Sequence, residues 1–173
     1  YLDMDEELRQ FYKLQRDTKV RGHSSKDVTK SIENRKIDSD RYIKSQSDFS
    51  DLIFSLKPVN KIDKKLNPND IKLRLEIIFK NGLYDYNLVK TLIVICGLDV
   101  DMETIKEGKN QRIRLSIDGD TQKEDIQIAV SKLCPEIMEF LDVNPKWDSG
   151  MNGVIQLVVM TQINQALKRR FLK

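Results

Sequence analysis

The chain has 173 residues, of which 39% are hydrophobic and 33% charged, and its net charge is +3. This balance is typical of a globular protein with one domain of ordinary size, or one domain with an appendage. The small net charge argues against a nucleic-acid partner, and no stretch reaches the roughly 18 apolar residues of a membrane span, so we expect neither partner.

Residues 1–58 predict two strands and two helices. Tyr1 to Met4 forms a buried strand, and Asp5 caps a helix that Gly22 ends. A second helix is predicted from the Ser24-Ser25 region to Arg35, with Val28 and Ile32 facing inward. The predicted elements that follow are a short third element at Tyr42-Ile43 and a strand from Leu52 to Leu56, closed by Pro58.

Residues 59–173 predict an α+β region. After a polar connection, Ile71 to Phe79 alternates apolar and charged residues, which is typical of a half-buried strand. The remaining predicted elements are a helix from Asp85 to Gly97, a hairpin of Met102–Ile105 and Gln111–Ile117, a helix from Gln122 to about Leu141 that Pro135 divides, and an amphipathic helix from Val154 to Phe171. Because the 71–79 strand could pair with a second copy as a sheet edge, this region is a candidate dimerisation unit.

The two cysteines and the single histidine restrict metal and redox chemistry. Cys96 and Cys134 lie among apolar residues, and neither has the spacing of metal ligands. We therefore expect two buried thiols in a reducing, cytoplasmic compartment, and no metal ligands from this chain.

Cations are concentrated between Lys13 and Lys44, where ten Lys or Arg residues stand against five acids. Such an excess favours an anionic small molecule, or simply a solvated helix face. Arg16 and Arg21 are five residues apart, a spacing that no apolar pattern requires, and Asp17 is placed to form a local ion pair with Arg16. The sequence contains no Gly-x-x-x-x-Gly-Lys-Ser/Thr loop, the standard cradle for nucleotide phosphates.

The order of short motifs in residues 1–58 resembles the phosphoribulokinase/uridine kinase family of P-loop kinases, and most closely its phosphoribulokinase members. The matching motifs are Tyr1-Leu2-Asp3, Gln15-Arg16-Asp17, Arg21-Gly22-His23-Ser24, Ser31-Ile32-Glu33-Asn34-Arg35-Lys36, Tyr42-Ile43, Gln46 and Asp51-Leu52-Ile53. A weaker similarity continues at Ser116–Gly119 and Gly153–Gln156. The chain departs from the family pattern at Ser45, where the family usually has Pro, and at Lys44, which replaces an acid.

The resemblance implies an α/β fold, with this chain as the C-terminal part of a P-loop kinase. Residues 1–58 would be lid helices and the last core strand, and residues 59–173 the trailing α+β region. The implied enzyme transfers the γ-phosphoryl group of ATP to a sugar hydroxyl with Mg²⁺. The phosphate loop would lie on a missing N-terminal half, so the isolated chain is expected to be inactive.

The resemblance also assigns roles to five residues. Arg16 on a phosphate, and Asp17 near the metal or the sugar hydroxyl, are the implied catalytic residues. Arg21, His23 and Arg35 are the implied substrate-binding residues, on a lid that closes over the phosphates.

Two other functions remain open at this point. The acceptor could be a nucleoside, as in uridine kinases, instead of a sugar phosphate such as ribulose 5-phosphate. Alternatively, residues 59–173 form a non-catalytic dimerisation or regulatory module, because their pattern of strands and helices needs no phosphate loop to fold. A homodimer is expected whichever of these functions the chain has.

Overall fold

The computed structural model describes residues 1–63, 66–80, 86–107, 110–139, 141–143 and 145–171. The chain divides into two compact units, which we name the N-terminal unit (Tyr1–Lys80) and the C-terminal unit (Asn81–Lys173). The N-terminal unit includes the strand at 71–79, which the sequence-based division at residue 58 assigned to the second region.

The described part of the N-terminal unit combines two α-helices with three strands in a mixed sheet. Its elements are β1 (Leu2–Met4), α1 (Glu6–Gln15), α2 (Ser25–Asp38), β2 (Leu52–Pro58) and β3 (Leu73–Phe79). β1 pairs parallel with β2, so that Leu2 lies opposite Phe54. Leu2 and Asp3 are exposed, so the prediction that this strand is buried is wrong. β2 pairs antiparallel with β3, so that Leu52 lies opposite Phe79. The predicted α/β class is confirmed at this level.

Asp5 starts α1 as predicted. Its Oδ1 accepts hydrogen bonds from the backbone N–H groups of Glu7 (3.0 Å) and Leu8 (3.1 Å), which have no partner inside the helix. Leu8 and Phe11, three residues apart, lie on the same face of the helix and pack with Ile62 in a small core. This packing fixes which face of α1 is turned to the outside.

The predicted end of this helix at Gly22 is wrong in one respect. The α-helix ends at Gln15, and the chain continues as a π-helical turn over Arg16–Val20 before Gly22 reverses it at φ +70°. The widened turn is marked by a 3.3 Å bond from the backbone N–H of Arg21 to the carbonyl of Arg16, five residues earlier.

α2 begins at the predicted cap, because the Ser24 hydroxyl accepts a hydrogen bond from the backbone N–H of Asp27 (3.1 Å). Val28 and Ile32 are buried as predicted. The helix extends beyond Arg35 to Asp38, and it continues as a second π-helical turn (Ser39–Ile43) and a 3₁₀ helix (Lys44–Phe49).

The C-terminal unit pairs a β-hairpin with helices. Its described elements are α3 (Tyr86–Val94), β4 (Asp99–Glu107), β5 (Asn110–Asp118), α4 (Lys123–Leu133), α5 (Pro135–Glu139) and α6 (Gly150–Phe171). The hairpin is confirmed and is longer than predicted. The predicted helix start at Asp85 and the middle of the hairpin turn, residues 108–109, lie outside the described residues.

Two helix boundaries in this unit have clear local causes. Pro135 divides the predicted helix, because proline has no N–H to continue the ladder of α4. α6 begins at Gly150, four residues before the predicted Val154, and the backbone N–H of Gly150 bonds to the carbonyl of Thr121 (2.8 Å). None of the described helices is both long enough and apolar enough to cross a bilayer.

The core of the C-terminal unit lies where α4 packs against α6. Both cysteines are buried, as predicted, and burial raises the pKa of the Cys96 thiol. Buried side chains from the two helices are Ile126, Ala129, Val130, Val154, Leu157 and Val158.

Asn164 of α6 forms the polar centre of the C-terminal unit. Its Oδ1 accepts from the backbone N–H of Ile137 (3.1 Å), and its Nδ2 donates to the carbonyl of Leu133 (3.3 Å) and to Oε2 of Glu136 (2.9 Å). Lys168 contacts the other oxygen of Glu136 at 2.8 Å, and hydrogen bonds from Lys168 and Asn164 lower the pKa of Glu136 to about 2. These contacts tie α5 to α6.

Candidate functional site

Asp17 lies between the two arginines that the sequence singled out. Its Oδ1 accepts hydrogen bonds from Nε of Arg16 (2.8 Å) and from Nη1 of Arg21 (3.1 Å). The Asp17 side chain is only 9% exposed, whereas both arginine side chains are about half exposed. The local pair of Arg16 and Asp17 is therefore confirmed, and Arg21 joins it.

The π-helical turn explains how residues 16 and 21 meet. In an α-helix each residue advances about 100°, so residues five apart lie about 140° from each other around the axis. In a π-helical turn, residue i+5 hydrogen-bonds directly to residue i, as Arg21 does to Arg16. The two guanidinium groups reach one carboxylate because Arg16 is adjacent to Asp17 and Arg21 lies four residues after it, on the same helix face.

The charge state of this cluster follows from its contacts. The hydrogen bond from Arg16, and then the nearby positive charges, lower the pKa of Asp17, although desolvation opposes this. Asp17 is consequently anionic at neutral pH, and it is a weak proton acceptor because its anion is already stabilised.

His23 and Gly22 close the turn. The backbone N–H of His23 donates to the carbonyl of Asp17 (2.9 Å), while the His23 side chain is exposed. Gly22 takes the left-handed conformation that side chains disfavour, which lets the chain reverse here.

A cleft of about 680 Å³ lies beside α1, and we name it the cationic cleft. Among the described residues that line it are five bases and no acid: Arg9, Lys13, Arg16, Lys19 and Arg35. Clefts lined by charges of one sign concentrate the electrostatic potential and attract counter-ions. The arrangement is therefore suited to an anion that carries several charges.

Contacts within the N-terminal unit hold the cationic residues in place. Lys13 of α1 donates to the hydroxyl of Ser31 of α2 (3.4 Å), and burial, followed by the positive charge of Arg35, lowers the Lys13 pKa. Arg9 forms two hydrogen bonds to Glu6, of 2.9 and 2.7 Å, so its charge is partly compensated. Arg16 is likewise paired with Asp17, and no carboxylate is among the described lining residues of the cleft.

The structure brings some of the predicted site residues together and leaves others apart. Arg16 and Arg35 line the cationic cleft, whereas Asp17, Arg21 and His23 are not among its lining residues. The sequence interpretation assigned no role to three further lining cations, Arg9, Lys13 and Lys19. The spacing of Arg9, Lys13 and Arg16, at i, i+4 and i+7, indicates one helix face and could have identified Arg9 and Lys13.

The described residues differ in how well they suit Mg²⁺ and phosphate groups. No group of three potential metal-ligating side chains occurs among them, and Oδ1 of the nearby Asp17 already contacts two guanidinium groups. Mg²⁺ is often bound by only one or two carboxylates together with substrate phosphates, so a cluster of three is not required of this chain. Arginine and lysine side chains, in contrast, are suited to phosphate oxygens, which fits the phosphates of ATP or of a sugar phosphate.

Comparisons with known proteins point to one family for the segment that carries this site. Residues 1–63 match the phosphoribulokinase / uridine kinase family model. Over about half of this chain, the sequence is 38% identical to chloroplastic phosphoribulokinase of Spinacia oleracea, 37% to that of Triticum aestivum, and 35% to phosphoribulokinase of Synechocystis sp..

The similarity covers 51% of this chain for the two plant proteins and 48% for the cyanobacterial one. The chain spans less than a quarter of the length of these relatives, 22%, 22% and 24% respectively. The resemblance to the phosphoribulokinase / uridine kinase family is thus confirmed for residues 1–63, the segment that contains all five predicted site residues.

Proposed function

We propose that this chain is part of an ATP-dependent kinase that phosphorylates a sugar hydroxyl, and that its N-terminal unit holds phosphate groups during the transfer. The observation that carries the proposal is the cationic cleft, whose described lining has five basic residues and no acid on one concave surface within the family-matched segment. The names of the similar proteins, all phosphoribulokinases, support the same reaction class.

Arg16 is the residue that we place on a phosphate. During phosphoryl transfer, negative charge spreads over the oxygens of the transferred group, and fixed cations stabilise it. Arg16 lines the cleft and uses Nε to contact Asp17, so its terminal nitrogens are available on a guanidinium group whose orientation is set. A pre-oriented cation contributes more than a mobile one, because no ordering is needed at the moment of reaction.

Asp17 acts, in this proposal, as a positioning residue for the two arginines. A general base works best with a pKa near the working pH, but the contacts of Asp17 lower its pKa. We therefore assign proton abstraction from the acceptor to a group other than Asp17. Arg21 adds a second cation to the turn, and the backbone of His23 fixes the turn's end.

ATP would supply the phosphoryl group, and Mg²⁺ would neutralise part of its charge. We route no step of the proposal through the metal. This chain's own contribution is to bind and orient anionic groups.

The charge of the cleft favours a phosphorylated acceptor over a nucleoside. Arg9 is paired with Glu6 and Arg16 with Asp17, but Lys13, Lys19 and Arg35 add positive charge to the lining, and a sugar phosphate brings additional negative charge of its own. We therefore prefer ribulose 5-phosphate, the acceptor suggested by the relatives' names, and keep uridine as the alternative acceptor.

A binding experiment on the 173-residue chain tests this proposal. Ribulose 5-phosphate, ATP and uridine are titrated separately while the backbone amides are followed by NMR. Ribulose 5-phosphate should shift the amides of residues 9–20, and Arg16→Gln should weaken its binding roughly tenfold, the value of one charge-assisted hydrogen bond. Uridine should cause no comparable shift.

Arg41→Gln is the matched control, because Arg41 stacks on Tyr42 and does not line the cationic cleft. If both variants lose the same affinity for ribulose 5-phosphate, the loss reflects the change in net charge alone, and a specific role for Arg16 is refuted. We also expect no phosphoryl transfer by this chain alone, and ATP-dependent turnover by it would contradict that expectation.

Self-association is a separate part of the proposal. The whole chain is measured by light scattering over a range of concentrations, and a dimeric mass is expected. A strictly monomeric result would count against a dimerisation role for residues 59–173.

A further inference from the structure

Lysines from three helices line a second concave surface, in the C-terminal unit. We name it the lysine cleft; it has a volume of about 380 Å³, and its lining includes Lys90 of α3, Lys132 of α4 and Lys168 of α6. These residues are far apart in the sequence, so the fold, and not a local run of charge, brings them together. None of the described lining residues of the lysine cleft belongs to the cationic cleft.

The charges of the lysine cleft are poorly balanced. No aspartate or glutamate is among its described lining residues. Lys168 contacts Glu136 at 2.8 Å, but within the described parts of the chain neither Lys90 nor Lys132 forms an ion pair. Like charges on a concave surface reinforce one another's potential, and a bound anion would relieve this repulsion.

The neighbouring groups limit how the lysines can rearrange. Lys132 lies in the last turn of α4, where the helix dipole already favours a cation. Lys168 is held by Glu136, whose other oxygen accepts a hydrogen bond from the buried Asn164. The Lys168 ammonium group is therefore oriented by a half-exposed ion pair that is connected to the buried Asn164.

We infer that the lysine cleft binds a compact anion with two or more negative charges, such as a phosphorylated or polycarboxylated metabolite. Its volume lies within the range of small-molecule sites, roughly 300–1,000 Å³. The lining residues Val94, Leu133 and Pro135 offer apolar contacts to a carbon skeleton. Ammonium groups act as point charges, so they donate hydrogen bonds to phosphate and carboxylate oxygens alike.

The test uses the whole chain and two probes, inorganic pyrophosphate and citrate. Each probe is titrated while amide signals are followed by NMR, which separates the two clefts residue by residue. In the lysine cleft, we expect shifts at Thr91, Ile95 and Leu133. Lys90→Gln and Lys132→Gln should each weaken this binding about fivefold, because one unit charge near the anion is lost.

Two variants serve as controls. Lys123→Gln removes an exposed lysine from the first turn of α4, outside the lysine cleft, and should leave the binding unchanged. Arg16→Gln should reduce only the shifts of the N-terminal unit, so failure of the proposed kinase site and failure of the lysine cleft are distinguishable.

Each outcome bears on the inference. Binding of both probes supports recognition of charge alone, whereas binding of only one identifies the phosphate or the carboxylate as the preferred group. Absence of shifts at the three reporter amides overturns the inference. So does equal binding by the wild type and by the Lys90 and Lys132 variants.

Discussion

Arg16 and Arg21 share one acceptor, Oδ1 of Asp17, at 2.8 and 3.1 Å. Arg16 is adjacent to Asp17 and Arg21 lies four residues after it, a spacing that places side chains on one helix face, and the backbone here is a π-helical turn. Both arginine side chains remain about half exposed, whereas the Asp17 side chain is buried. The carboxylate therefore holds the two guanidinium groups while solvent can still reach them.

The first prediction concerns the titration of Asp17. Its folded-state pKa lies below the ordinary value of 3.8, mainly because of the hydrogen bond from Arg16. Arg16→Gln should therefore raise the Asp17 pKa more than Arg21→Gln does. The measurement is a ¹³C NMR titration of the side-chain carboxyl.

The sign of the linked stability effect follows from the lowered pKa. The contribution of Asp17 to the free energy of unfolding is fully present above its unfolded-state pKa. This contribution is lost as the pH falls through the lowered folded-state pKa. Arg41→Gln should leave the titration midpoint in place. An equal or larger rise with Arg21→Gln would show that Arg16 is not the dominant partner.

The second prediction concerns Gly22. Its φ of +70° costs most residues about 1–2 kcal/mol, and no atom lies within 4 Å of the place that a methyl group would take, so the cost is one of backbone conformation alone. Gly22→Ala should lower the free energy of unfolding by about that amount, measured by urea denaturation. Gly22→Asn should cost less, because asparagine tolerates this conformation, and a larger loss with asparagine would contradict the explanation.

The third prediction tests the small core of the N-terminal unit. Leu8 is fully buried and packs with Phe11 and Ile62. Leu8→Ala should reduce the free energy of unfolding by about 2–5 kcal/mol, through lost apolar contacts and the cavity that remains. Ile37, an exposed apolar residue of α2, provides the control, since Ile37→Ala should change stability by no more than about 0.5 kcal/mol. Similar losses in both variants would refute the assignment of this core.

The fourth prediction concerns the buried amide of Asn164. Asn164→Ala removes three hydrogen bonds and leaves the backbone N–H of Ile137 without its acceptor, so unfolding should become easier by about 1–3 kcal/mol. Thermal or urea unfolding measures the loss. Asn152→Ala, on the exposed part of the same helix, should be nearly neutral. A neutral result at Asn164 would mean that the network does not stabilise the unit.

Features that depend on neighbouring residues were predictable from the sequence. The caps at Asp5 and Ser24, the buried pair Val28 and Ile32, and the break at Pro135 all follow from rules that act within a few residues. The alternation in residues 71–79 likewise predicted β3, whose observed bounds are Leu73–Phe79.

Features that depend on contacts between distant residues were not predictable from the sequence. The start of α6 at Gly150 involves a bond to the carbonyl of Thr121, which precedes α4 and is far away in the sequence. The cationic cleft combines α1 with Arg35 of α2, and the contact of Lys13 with Ser31 fixes their packing. No local pattern shows which cations of two separate helices will line the same cleft.

The widened turn at Arg16–Val20 makes chain length, and not only residue identity, a determinant of the site. Substituting the exposed Val20 keeps the number of residues between α1 and the reversal at Gly22, whereas deleting it shifts Gly22 and α2 by one residue relative to α1. A substitution at Val20 should therefore be tolerated better than a one-residue insertion or deletion in the turn.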